Sequence, residues 1–120
     1  MKDALTAAGF PGVEDDGGIL HARLWSSSVE FTASPVGSAW VLAIQWPVRA
    51  TEAQLADWCK KHPHVPMDIH LGETRLSMTV QNGHIENLIG QLHHWAAVAE
   101  EAIAACILWR RAQRAPGEGM

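Results

Sequence analysis

Seven histidines and two cysteines are the side chains of this sequence whose types suit metal or nucleophilic chemistry. Cys59, His62 and His64 fall close together, and His93-His94 follow thirty residues on. Zinc takes imidazole and thiolate ligands at about 2.0–2.3 Å, four in a structural site. Here Cys59 shares a helical pattern with Leu55, His62 and His64 flank Pro63, and no second CxxC or HxxxH pair completes a set. Two readings follow. In one, His62, His64, His70, His93 and His94 converge on a small ligand or a metal; in the other they are solvated side chains at element ends. Nucleophilic catalysis needs a Ser or Cys on a strained elbow beside a base. Ser26-Ser27-Ser28 and Ser34 instead fall in turn patterns, and no GxSxG is present. Cys59 and Cys106 lie beside apolar residues, an environment that disfavours a thiolate.

The carboxylate pairs are no better placed. Asp15-Asp16 lies in a glycine-rich turn, and Glu100-Glu101 are helical neighbours that point about 100° apart. Gly17-Gly18 precedes a strand, whereas a phosphate cradle opens a helix. The sequence therefore presents no complete catalytic set, and neither a metal nor a cofactor is expected. The residues of interest become the apolar ones that a single core does not absorb. There are six tryptophans and no tyrosine in 120 residues, more than so small a domain hides easily.

The elements that carry these residues read as one α+β domain over 1–114, with 115–120 as a disordered tail. A short helix spans Lys2 to Gly9, and Glu14 to Gly18 is an acidic turn. Ile19–Trp25 alternates, Val29–Ser34 alternates, and Trp40–Trp46 is apolar on both faces, which suits a central strand. Short connections predict an antiparallel meander. Thr51-Glu52-Ala53-Gln54 has the form of a capping box, opening a helix that ends near His62-Pro63. Strands at Met67–Leu71 and Arg75–Gln81 follow. The last helix runs from about His84 to Gln113, with Ile85, Leu88, Ile89, Leu92, Ala96, Ala99, Ile103, Cys106 and Ile107 at helical spacing. The predicted order is α-β-β-β-α-β-β-α, with a mainly antiparallel five-stranded sheet covered by helices. At 1.5 Å per residue the last helix outruns the sheet, so either it overhangs or Gly90 breaks it.

Composition narrows the function classes. Thirteen acidic and nine basic residues give a net charge of −4, against the basic surface that nucleic acid requires. The one basic cluster, Arg110, Arg111 and Arg114, suits a solvated helix end that complements the dipole. No run of about 18 apolar residues is present to span a membrane, and Met1–Phe10 lacks the pattern of a secretory leader. A cytoplasmic setting with both thiols reduced is expected.

The order of elements is similar to that of the class I type III secretion chaperones and the related YbjN-like bacterial proteins. The parts that carry the likeness are the opening helix, the Trp40–Trp46 strand followed by the Thr51–Cys59 helix, the Met67–Gln81 hairpin and the final amphipathic helix. The likeness spans about Met1 to Gln113 and rests on order and length rather than on a motif. It implies a homodimer without enzymatic activity that holds an extended polypeptide on apolar patches and at a sheet edge. The long last helix with its tryptophans departs from that pattern. The surface expected to meet a second copy or an unidentified protein is Trp46, Trp95, Ile103, Ile107 and Trp109. A third reading is an adaptor subunit whose last helix packs permanently on another chain.

Overall fold

The computed structural model describes residues 1–118, with side chains described over 1–113; the tail expected at 115–120 lies outside the fully described residues. The element order is α1 (Lys2–Ala7), β1 (Glu14–Asp16), β2 (Ile19–Arg23), β3 (Glu30–Val36), β4 (Ala39–Trp46), α2 (Glu52–Lys61), β5 (Met67–His70), β6 (Glu73–Gln81) and α3 (Ile85–Glu118). The fold is α+β, and the sheet has six strands in the order β1-β2-β3-β4-β6-β5, antiparallel throughout.

The sixth strand corrects the five predicted. Glu14–Asp16 pairs with Ile19–His21 across a two-residue turn at Gly17-Gly18, both at positive φ (63° and 95°). Such a turn matches the twist of a hairpin and favours glycine at both positions. The Gly18 N–H also donates to Asp15 Oδ1 at 2.9 Å. All three residues of β1 are exposed, so no apolar alternation marks the strand in the sequence.

One face of the sheet carries the core. Leu20, Ala33, Leu42 and Met78 stand opposite one another across four strands, and Ile44, Leu76 and Met67 form a second row. All seven are buried. Because side chains alternate along a strand, the next residues face the other way. That opposite face carries His21, Thr32, Ala43 and Ser77 in one row and Ser34, Val41 and Thr79 in another, half-buried or exposed. β4 lies inside the sheet between β3 and β6, where its apolar character leads one to expect it.

Helix α2 opens with the predicted capping box: Gln54 N–H donates to Thr51 Oγ1 at 3.1 Å, and Thr51 N–H donates to Gln54 Oε1 at 2.9 Å. The segment joining β4 to α2 is pinned by one buried polar side chain. Thr74, fully buried, donates its hydroxyl to the Val48 carbonyl and accepts the Ala50 N–H at 2.9 Å.

Helix α3 is continuous through Gly90 and 34 residues long, in a molecule whose longest dimension is 53 Å. Its buried stripe is Leu88, Leu92, Trp95, Ala99, Ala102 and Cys106, alternating steps of four and three. Large side chains fill the space over the sheet in the first half. Ile85, at helical spacing with the inward residues, is nonetheless 47% exposed, because it is the first residue of the helix and precedes that stripe. No helix among the described residues is long and apolar enough to cross a membrane.

Candidate interaction surface

Side chains in the second half of α3 contact elements beyond the sheet. Three polar contacts hold it there. Glu100 accepts from Ser27 Oγ at 3.4 Å, Glu101 meets His62 Nε2 at 2.8 Å, and Gln113 Nε2 donates to the Arg49 carbonyl at 2.7 Å. These contacts attach the helix to the β2–β3 loop, to the end of α2 and to the β4–α2 segment.

Between those attachments lie two depressions, one on each flank of the helix. The first, about 170 Å³, is largely apolar and is bounded by Val29, Trp46, Val48, Ile103 and Ile107, with Cys106 at its floor. The second, about 310 Å³, lies between α2 and α3 and mixes Trp58, Leu108 and Trp109 with Asp57, Lys61, His62 and Glu101. On the ridge between them Ile107 is 46% and Leu108 62% exposed. Isolated apolar residues on a surface need no explanation, but apolar residues grouped beside grooves mark contact sites.

The five residues expected to form a partner surface are thus divided. Trp46, Ile103 and Ile107 meet at the first groove, and Trp109 lines the second. Trp95 is not on the surface: it is fully buried, with its ring edge-on to Phe31 at 5.8 Å between centroids. It belongs to the inward stripe of α3, set by its spacing from Leu88, Leu92 and Ala99. Its indole N–H has no hydrogen-bond partner, a local cost of order 1–3 kcal/mol that the surrounding packing offsets. Leu108 is a surface residue that the sequence reading misses. Its signal is present in the chain, because Ala97, Glu101, Ala104, Leu108 and Arg111 repeat at the same four-three spacing on the opposite face of α3, all exposed.

The histidines do not converge. His62 stacks on Trp58 with centroids 4.2 Å apart, and His21 pairs with Glu30 at 2.7 Å on the open sheet face. His93 lies beside Trp25, with Nε2 3.3 Å from the Ala8 carbonyl. His64, His70 and His94 are exposed. Among the described residues no three His, Cys, Asp or Glu side chains stand close enough to hold a metal ion. Of the thiols, Cys106 is buried and its pKa is pushed up to about 11 by loss of solvation. Cys59 is half-buried, its Sγ 3.5 Å from the Met67 carbonyl.

A wider depression of about 570 Å³ lies over β1–β3, bounded by Glu14, Asp15, Asp16, His21, Arg23 and Glu30. It is polar and open to solvent, and across it His21 pairs with Glu30 at 2.7 Å. Comparison with known protein families, with curated proteins and with solved structures finds no match to this chain.

Proposed function

We propose that this protein is a non-enzymatic, chaperone-like binding protein of the bacterial cytoplasm, a homodimer that holds a partner polypeptide on the groove between β4 and α3. The observation that carries this reading is the apolar groove of Val29, Trp46, Val48, Ile103 and Ile107 along the second half of α3. An extended or helical peptide with two spaced apolar side chains fits such a groove, and Arg110 at its rim suits an acidic residue in the same peptide. With the added strand β1 set aside, the likeness in element order to the class I secretion chaperones supports the same reading.

The test compares the parent protein with Ile103→Asp/Ile107→Asp as bait in its native cell, followed by mass spectrometry of what is retained. A polypeptide held by the parent and lost by the variant is the expected result. Identical retention by both, in a variant of unchanged circular dichroism, removes this groove from the account.

A further inference from the structure

The exposed stripe of α3 opposite its buried one has a charge pattern that complements itself when reversed. Glu101 lies five residues before position 106 and Arg111 five residues after it. Ala104 lies two before and Leu108 two after. All four side chains are exposed. If two copies of this stripe pack antiparallel about a two-fold axis level with Cys106, each Glu101 faces an Arg111 of the other copy. Each Leu108 then lies over the other copy's Ala104. Opposite charges meet at both ends, and a large side chain meets a small one at both central positions. A parallel arrangement lacks this match, since it sets Glu101 against Glu101 and Arg111 against Arg111.

We infer that a second copy of this chain docks antiparallel on the Glu101–Ala104–Leu108–Arg111 stripe of α3. This rests on the homodimer in the function proposed above and gives that homodimer its surface. The occupant is a second copy because the complementarity is of the stripe to itself, as a two-fold interface requires. The groove between α2 and α3 flanks the stripe and supplies room for the incoming side chains, with Leu108 and Glu101 on its wall. The His62 contact uses one oxygen of Glu101, and a carboxylate accepts further donors on the other. Ile103 and Ile107 line the groove on the other flank of α3 from the α2–α3 groove.

About the two-fold axis the paired stripe runs from Glu101 to Arg111, about 16 Å of helix at 1.5 Å per residue. A two-helix seam of that length lies at the small end of specific interfaces, where about 1,200 Å² of total area is the usual floor. Association in the micromolar range that weakens with added salt is therefore expected.

Sedimentation equilibrium from about 5 to 200 μM on the whole chain brackets that range and tests the proposal. The parent is expected to dimerise, and Leu108→Glu to be monomeric over the same range. Glu101→Arg and Arg111→Glu are each expected to lose roughly tenfold or more in affinity through like-charge contacts. An equimolar mixture of these two variants restores the dimer. In that mixed pair the arginine introduced at position 101 faces the glutamate introduced at position 111. At the other end the native Arg111 of the first chain faces the native Glu101 of the second. That restoration shows both variants to be folded and fixes the antiparallel pairing. A parent dimer left intact by Leu108→Glu and both charge reversals overturns this surface and leaves the homodimer standing. A parent that stays monomeric at the highest concentration overturns both.

Discussion

Replacing Thr74 by Val removes one oxygen and keeps the shape of the side chain, so its cost can be worked from three contacts. The Thr74 hydroxyl accepts the Ala50 N–H at 2.9 Å and donates to the Val48 carbonyl. That carbonyl also receives the Thr74 backbone N–H at 2.9 Å, so it keeps a partner in the variant. The Ala50 N–H keeps none. Ala50 is 5% exposed, which leaves little room for water to replace the lost acceptor. An orphaned buried donor costs about 1–3 kcal/mol, and the added methyl returns a fraction of that. A net loss of about 1–2 kcal/mol follows, a sizeable share of the roughly 5–15 kcal/mol that holds a domain together. Urea unfolding is expected to show a midpoint lowered by about 0.5–1.5 M with an unchanged slope. Hydrogen exchange at the Ala50 amide is expected to quicken more than at Leu42 or Leu76, on the strands that stay intact. Thr74→Ser keeps the oxygen and is expected to keep that amide protected. A Thr74→Val protein within about 0.3 kcal/mol of the parent, with the Ala50 amide equally protected, would refute the view that this hydroxyl pins the β4–α2 segment.

Other expectations concern single positions. Gly90 lies inside α3, and a Cβ built there meets nothing within 4 Å, so Gly90→Ala is expected to stabilise the fold by about 0.5–1 kcal/mol in thermal or urea unfolding. Gly9 has φ +95° and a Cβ there comes 3.2 Å from Trp25 Nε1, so the same change is expected to destabilise by about 1–2 kcal/mol; a neutral Gly9→Ala would count against the observed turn. A thiol reagent at mildly alkaline pH is expected to label Cys59 before Cys106, with both labelled once the chain is unfolded; rapid labelling of Cys106 in the native protein would contradict its burial. The raised Cys106 pKa also has a pH signature. Between its ordinary value of 9.0 and about 11 the unfolded chain loses this proton while the native one keeps it, so the thiol's contribution to stability falls as pH rises through that window. Parent minus Cys106→Ala stability, measured by urea unfolding across that window, is expected to decline accordingly, and a flat difference would show the thiol to be solvated.

Local patterns in the chain are enough for most of the elements. Thr51 and Gln54 mark the start of α2 because a capping box is a contact between residues three apart, and the structure contains both of its hydrogen bonds. The apolar character of Trp40–Trp46 agrees with the place of β4 inside the sheet between β3 and β6, although its Val41–Ala43 face is only half-buried. The inward residues of α3 are legible in the same way. What spacing does not provide is the partner of each face. β1 has only exposed acidic residues, and its pairing with β2 is a matter of backbone hydrogen bonds that no side-chain period records. Trp95 and Trp109 are the same residue type on one helix, yet one is sealed under the sheet and the other lines a groove. Their difference depends on what stands opposite each, Phe31 of β3 against Trp95 and the Asp57–His62 end of α2 beside Trp109. The sequence alone determined that α3 is long and carries apolar residues to its second half. Only the tertiary structure decided which of them are covered, because burial is a property of the elements that meet and not of the helix that carries the side chain.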